Sequence, residues 1–303
     1  MRQGVALPPL RLYGVAATCK VFMGFGIEMS NADYHRHQAI SKSKLDAARK
    51  SGKHLYDMLY GPPRESTPAF EFGTVFHAAA LPGEDFDSVA ARMPDGMKKT
   101  TKEGKAFVAE HAGKILLNNS DAYALDQMML SMTQHPVAAS LLKGDLPGKS
   151  EQSFFAVEPE TGLETKCRPD FMLDDGSLII DLKTTTNASP KGFQKSLVDF
   201  RYYVQASWYL DVVEMSTGKR PDGFLFIAVE KQRPFSTGVY MADSEMIKLG
   251  REHAMEDLRK IAEWKAADHY PGYSDRAEMI SLPKWMLPKE GGSPADHQPI
   301  ELY

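Results

Sequence analysis

The sequence predicts a mixed α/β protein: a central mixed β-sheet flanked by helices on both faces, with a helical region ahead of it. Three observations lead there. Short apolar runs at 154–157, 178–182 and 224–229 have strand length and a high aromatic and β-branched content, and the last is apolar throughout, as befits a strand buried on both faces. Longer stretches at 193–215 and 243–268 carry apolar residues at helical spacing. Residues 31–148 show mainly the helical period. With 303 residues and 43% hydrophobic content, the chain can bury one large domain or two small ones. The organisation reads as an N-terminal extension at 1–30, a single domain at 31–287 (helical part 31–148, core 149–287) and a loose tail at 288–303.

Taken in order, residues 1–30 are mildly apolar but interrupted by Arg11 and Lys20, too broken for a membrane span and poor as a secretory signal; they read as an extension or a misassigned start. Ser41-Lys42-Ser43-Lys44-Leu45 opens one helix, in which Leu45, Ala48, Leu55 and Leu59 follow helical spacing until Gly61-Pro62-Pro63 stops it. Its Ser/Lys cluster reads either as a phosphate contact or as a solvated cap. A second helix starts near Ala69 and carries Phe72, Val75, Phe76, His77 and Leu81. Gly73 lies one turn before His77, and its missing side chain is expected to let the helix press on the sheet and bring the imidazole inward. Residues 93–114, with Lys98, Lys99, Lys102, Lys105 and Lys114, read as a flexible basic segment leading into a helix, either a flap facing nucleic acid or a solvated loop. An amphipathic helix at 121–142 is interrupted at His135-Pro136, and 144–148 is a linker.

The expected first core strand is 151–157, closed by the Glu158-Pro159-Glu160-Thr161-Gly162 turn. After Lys183 the polar run Thr184-Thr185-Thr186-Asn187 leaves a strand end, and one helix at 193–215 follows, with Arg201, Gln205 and Tyr209 in a single polar stripe. A central strand at 223–230, a neighbour at 238–241 and a helix from Asp243 to about Asp268 complete the core. Leu282-Pro283-Lys284-Trp285 is expected to dock on that core.

One stretch concentrates the chemistry. Arg168 to Leu173 alternates, Asp174-Asp175-Gly176 is a turn and Ser177 to Lys183 is an apolar strand, so the stretch reads as a hairpin with Asp170 and Asp181 on neighbouring strands. Asp181 and Lys183 are two apart and share a face, while Leu182 points the other way. An isolated Asp-x-Lys at a strand end is most often a solvated pair. Here Asp181 interrupts Leu178-Ile179-Ile180-Asp181-Leu182, and a charge in an element built for burial needs a partner or a metal. Two hard oxygen ligands suit a Mg²⁺ that keeps most of its waters and takes further oxygens from a phosphate. A lysine beside it can orient the attacking water and offset charge building on phosphorus. Glu151 reads equally as a further acidic member of the site or as a surface residue. A lone histidine such as His77 in an apolar helix is more often packed than ligating.

Pro169-Asp170, eleven positions to Asp181, then Lys183 resemble the PD-(D/E)xK nuclease signature. Arg168 to Asp170, Asp181 to Thr185, Gln205 with Tyr209, and Gly73 with His77 together resemble the RecE-type exodeoxyribonuclease VIII family, relatives of lambda exonuclease and RecB nuclease domains, over 31–287. Asp181 stands where many superfamily members carry Glu, which the RecE branch accepts. The resemblance implies a restriction-endonuclease-like core and Mg²⁺-dependent removal of nucleotides from the 5′ strand of double-stranded DNA ends, with Mn²⁺ able to substitute. It further implies a 3′ overhang for a single-strand annealing protein, phage-type or RecE-type recombination, and a ring-shaped homo-oligomer. On the same ground Asp170, Asp181 and Lys183 are catalytic; His77, Asp170, Asp181 and the Leu182 backbone carbonyl hold metal, with Glu151 a further candidate; and Thr184, Thr185, Arg201, Gln205 and Tyr209 handle DNA, Gln205 and Tyr209 through the nucleotide or through support of Lys183.

Composition limits the alternatives. A net charge of −4 and a pI near 6.2 exclude wholesale basic coating of DNA, so any contact must be a local groove. Two cysteines, Cys19 and Cys167, make neither a disulfide framework nor a four-cysteine metal site, which points to a reducing cytoplasm and removes the iron–sulfur branch of that superfamily. Two rival functions keep the fold: a structure-specific endonuclease, and a catalytically silent DNA-binding recombination scaffold, which has no need of Lys183 beside two carboxylates.

Overall fold

The computed structural model describes residues 26–62, 65–142, 144–283 and 286. Three helices come first, α1 (Asn31–Arg36), α2 (Lys42–Lys50) and α3 (Gly52–Tyr60). α4 (Pro68–Ala80) and α5 (Phe86–Val89) precede a parallel pair, β1 (Ala90–Arg92) and β2 (Ile115–Leu117), which brackets α6 (Lys102–Glu110). α7 (Asn119–Gln134) and α8 (Pro136–Leu142) lead to β3 (Gly148–Ser150), β4 (Phe154–Val157), β5 (Glu164–Cys167), β6 (Phe171–Leu173) and β7 (Leu178–Thr185). α9 (Pro190–Asp199), α10 (Tyr202–Thr217), β8 (Gly223–Glu230), β9 (Thr237–Met241) and α11 (Ser244–Ala267) follow. Helix starts are written in the sequence: Thr67, Asn118, Ser189 and Asp243 each accept a backbone N–H of the first turn, and Pro68 and Pro190 stand at opening positions where no donor is missed.

The central sheet has the order β3-β6-β7-β8-β9, with β7 and β8 parallel and the other neighbours antiparallel. Side-chain alternation divides the core into two layers. Ile179, Phe224, Phe226 and Ala228 face one layer, where Leu45 of α2, Leu55 of α3, Trp208 of α10 and Leu258 of α11 are buried. Ile180, Leu182, Leu225, Ile227 and Val229 face the other, with Phe76 of α4, Met128 of α7 and Leu141 of α8. Each such large side chain contributes about 1.5–3 kcal/mol by leaving water. The period of two therefore sends Asp181 and Lys183 toward α10 and leaves Leu182 on the α4 side.

Several elements differ from the expectation. The first long helix is two, split at Ser51, whose hydroxyl caps α3; a Cβ at Gly52 would lie 2.6 Å from the Pro271 ring, so the kink is built around close contact. The helix expected at 193–215 is α9 and α10, broken at Phe200 and Arg201. β4 pairs only with β5, in a separate ribbon against α10, and the true edge of the central sheet, β3, begins in the stretch read as a linker. Asp170 lies just ahead of β6 rather than within a strand. Gly73 has no atom within 4 Å of where a Cβ would sit, so it allows no close helix–sheet contact and does not explain the position of His77. The basic segment is structured around α6, with Gly104 lying on the Lys98 carbonyl. Leu282 is exposed, while Trp285, residues 1–25 and the tail at 288–303 lie outside the described residues. No helix among the described residues is long and apolar enough to cross a membrane.

Candidate active site

The site forms where a ladder runs out. β6 pairs with β7 only through Phe171↔Ile180 and Met172↔Ile179, so Leu182, two residues farther along β7, has no β6 partner for its backbone. Side chains take the strand's place. The Leu182 N–H donates to Asp170 Oδ2 at 2.6 Å, and the Leu182 carbonyl faces His77 Nε2 at 3.2 Å. His77 reaches in from α4 and lies 3.7 Å from the same Asp170 oxygen. Glu151, just after β3, donates its backbone N–H to the Asp170 carbonyl at 3.1 Å and holds a left-handed conformation with φ 52. For a non-glycine residue that conformation costs about 1–2 kcal/mol. Ligand atoms of His77, Glu151 and Asp170 lie within 4.8 Å of one another.

Asp181 is fully buried on the other face. Its Oδ1 accepts from Gln205 Nε2 at 2.6 Å. The Lys183 ammonium lies against Oδ2 as an ion pair, so both oxygens of this buried carboxylate are engaged by the chain's own groups. Burial pushes the Asp181 carboxyl up to about 6, against the pull of Lys183. Burial also acts to lower Lys183, but the Asp181 and Asp170 carboxylates outweigh it and hold the ammonium above its ordinary value. Glu151 is pushed up to about 8 by burial and then by the neighbouring Asp170. Its nearest described cation is Arg168, at 3.9 Å. Two carboxyl groups and an imidazole thus converge beside the Leu182 carbonyl, with the Asp181–Lys183 pair on the other face. That donor set, mostly hard oxygen, fits a divalent cation such as Mg²⁺ or Mn²⁺.

The predicted DNA-handling residues divide. Gln205 is buried and serves Asp181 rather than a ligand. Tyr209 is half-buried on the same helix, and burial raises its phenol. Thr184 is half-buried at the end of β7, whereas Thr185 is buried and its hydroxyl accepts the Asn187 N–H at 3.2 Å, closing a turn instead of facing outward. Arg201 is not part of an outward stripe either. It caps α10 in a left-handed conformation with φ 53, and its guanidinium donates to Asp46 Oδ1 at 3.0 Å and Asp257 Oδ2 at 2.5 Å, tying α10 to α2 and α11.

One neighbour of Lys183, Tyr202, escaped sequence reasoning. The Tyr202 ring faces the Lys183 ammonium, with 4.7 Å to its centroid, and Lys42 approaches the same ring at 5.9 Å. A ring face attracts an ammonium without taking up its N–H donors, so Lys183 stays directed while its protons remain available. The only signal for Tyr202 was an aromatic pair next to Arg201, and a reading that continued the helix through residue 201 put that ring out of reach.

No curated protein matches the chain. Among solved structures, a protein from Eubacterium rectale described as a candidate exonuclease shares the fold over 85% of this chain and 97% of its own, with a TM-score of 0.56 and 12% identity. An alkaline exonuclease from Laribacter hongkongensis aligns over 65% of this chain and 95% of its own, at 12% identity and a TM-score of 0.29. A phage-related exonuclease from Haemophilus somnus 129PT aligns over the same shares, 65% and 95%, at 14% identity and a TM-score of 0.31. The family model described as "PDDEXK-like domain of unknown function (DUF3799)" matches residues 41–283, from the residue that opens α2 to beyond α11. This match spans most of the chain and encloses His77 and the whole Asp170 to Lys183 fork, and the chain belongs to that PDDEXK-like family.

Proposed function

We propose that the protein is a divalent-metal-dependent deoxyribonuclease of the RecE-type exodeoxyribonuclease VIII kind, which shortens the 5′ strand at linear duplex ends and leaves a 3′ overhang for a single-strand annealing partner. One observation carries the reading: at the fork above β6, His77, Glu151, Asp170 and the Leu182 carbonyl converge on one face while the buried Asp181 carboxylate holds Lys183 on the other. His77, Glu151, Asp170, Asp181 and the Leu182 carbonyl are the groups that would hold the cation. Such a cation would supply a Lewis acid for the phosphate and make bound water easier to deprotonate. The remaining work belongs to the chain. Lys183, directed by Asp181 and the Tyr202 ring, orients the attacking water; as the water oxygen bonds to phosphorus and the phosphate ester P–O bond breaks, its charge offsets that gathering on the phosphate oxygens. Gln205 fixes the Asp181 carboxylate so that this geometry is present before substrate arrives. Strand polarity, the ring-shaped oligomer and the recombination setting rest on the family resemblance.

End-labelled linear duplex and covalently closed circular DNA, each incubated with and without Mg²⁺ or Mn²⁺, test the reading. The expected result is metal-dependent shortening of the linear substrate and an intact circle. Cleavage of the circle would move the assignment to an endonuclease, and no cleavage of either substrate in any divalent metal would leave only the scaffold.

A further inference from the structure

The break between α9 and α10 builds something a continuous helix cannot. Residues two apart on an α-helix point to different sides, so Phe200 and Tyr202 could not meet in the helix the sequence predicts. In the structure α9 ends at Asp199, Phe200 caps it and Arg201 turns left-handed, held there by Asp46 and Asp257 from two other helices. The rings of Phe200 and Tyr202 then stack, with centroids 5.4 Å apart at 28°. Tyr202 in turn lies 6.2 Å from Phe193 at 28°, and Phe193 5.1 Å from Tyr240 at 15°. The row is buried at Phe193, which is 1% exposed, and ends in water at Phe200, which is 57% exposed.

This open end is charged in a particular way. The second ring of the row faces the Lys183 ammonium, and Lys42 donates to the carbonyl of Phe200 itself at 2.7 Å. The acids nearby are occupied: Asp46 pairs with Lys42 and Arg201, and Asp199 lies 3.9 Å from Lys195. A free aromatic face therefore stands one ring away from the ammonium assigned to the phosphate, with the Lys42–Asp46 pair at its base. A nucleotide has that pairing of features, a flat π-face joined to an anion. A base held inside a duplex already stacks on both sides, so the matching form is an unpaired one.

We propose that Phe200 is a stacking site for an unpaired nucleobase whose own strand delivers its phosphate to Lys183, so that the protein engages a frayed or single-stranded terminus. This rests on the nuclease reading of the Lys183 site. The strain at Arg201 then has a functional counterpart, because the break alone aligns the outer ring with the one that directs Lys183.

The test uses the full chain in Ca²⁺, with duplexes carrying 2-aminopurine at the terminal nucleotide, either mismatched or paired. The parent is expected to quench the mismatched probe on binding. Phe200→Ala should lose the quenching and bind that end between about 5-fold and about 150-fold more weakly, the range for one stacked base. Phe200→Trp should keep both. In Mg²⁺ the alanine variant should raise KM and leave kcat close to the parent value. Equal affinity and quenching for parent and Phe200→Ala, in a parent that cleaves linear DNA, overturns the stacking site alone. A parent that binds no DNA overturns both readings. A changed oligomeric state in Phe200→Ala with unaltered DNA binding makes the ring a protein contact and also overturns the proposal.

Discussion

Arg168 stands between two buried clusters of opposite charge, and they differ in how far they are satisfied. On the N-terminal side Lys44 donates to the Gln38 and Ala39 carbonyls at 2.7 and 2.9 Å. Lys166 donates to the Tyr34 and His37 carbonyls, the second at 2.9 Å, and its ammonium lies 4.3 Å from the Tyr34 ring centroid. Lys166 closes the end of α1 and fastens it to β5, as basic groups favour a helix C-terminus, and Lys44 holds the segment that follows α1. On the other side Glu151 and Asp170 crowd together with His77, close to Asp181, and the nearest described cation to Glu151 is Arg168 at 3.9 Å. Both clusters bear shifted ionisation, the lysines down to about 8 and two of the acids up. Perturbed ionisation alone would nominate either as a site. Satisfaction separates them: the cationic cluster is closed by the chain's own carbonyls, whereas in the acidic one Glu151 and Asp170 raise each other's cost with no described cation closer to Glu151 than Arg168.

The largest effect expected from this difference lies at Lys183, the cation that belongs to the acidic side. Lys183→Ala should bind duplex ends nearly as well as the parent in Ca²⁺, yet lose roughly a hundredfold or more in single-turnover cleavage, about 3 kcal/mol in the barrier. A scaffold would instead lose affinity and about one unit of salt slope, since Lys183 would be one phosphate contact among several. Affinity against salt and cleavage on the same variant decide between them.

A smaller effect sharpens the contrast from the carboxylate side. Asp170→Asn keeps an oxygen to accept the Leu182 N–H and removes one negative charge, so the metal-free protein should melt at or above the parent temperature. Mn²⁺ affinity should fall by more than the roughly 10- to 100-fold usual for losing a group one step removed from a metal. Unchanged Mn²⁺ binding by calorimetry would remove Asp170 from the ligands.

The acidic cluster was legible because its residues are close in sequence and follow a short period: a strand that alternates must put Asp181 and Lys183 on one face, and a hairpin must bring Asp170 near them. His77 was legible as a residue but not for its stated cause, since Gly73 has no role in bringing it inward. The cationic cluster was invisible. Lys44 and Lys166 are 122 residues apart by their numbers and sit in elements whose pattern reads as a solvated helix start and an alternating strand. The helix break at Arg201 was hidden for a related reason. Nothing local forbids a helix through Phe200 and Arg201; the break is imposed by Asp46 and Asp257, partners supplied by α2 and α11. Tertiary ion pairs that override local propensity leave no periodic mark.

The smallest expected effect tests the claim that the cationic cluster is purely structural. Burial, then Lys166, pushes Lys44 down to about 8, and burial, then Arg168, does the same to Lys166. In the unfolded chain both ionise near 10.4. Between these values the unfolded chain binds more protons than the folded one, and stability rises with pH wherever that holds. From pH 8 to pH 9 each lysine should therefore add on the order of 1 kcal/mol to the unfolding free energy. Below pH 8 both states are protonated and the slope vanishes. Cys167, whose thiol burial pushes well up, ionises more readily unfolded and partly offsets this gain within the window, and the phenol of Tyr209 adds to that opposition above pH 9. Glu151, raised to about 8, acts mainly below the window, where its loss of a proton lowers stability as pH rises. Urea unfolding of metal-free protein at pH 8.0, 8.5 and 9.0 should accordingly show a rising midpoint. Lys166→Met should remove more than half of the rise, because it also takes away the neighbouring charge that lowers Lys44. A parent midpoint that falls steadily across that interval would mean that the carbonyls hold both lysines charged, and the cationic cluster would then be no more finished than the acidic one.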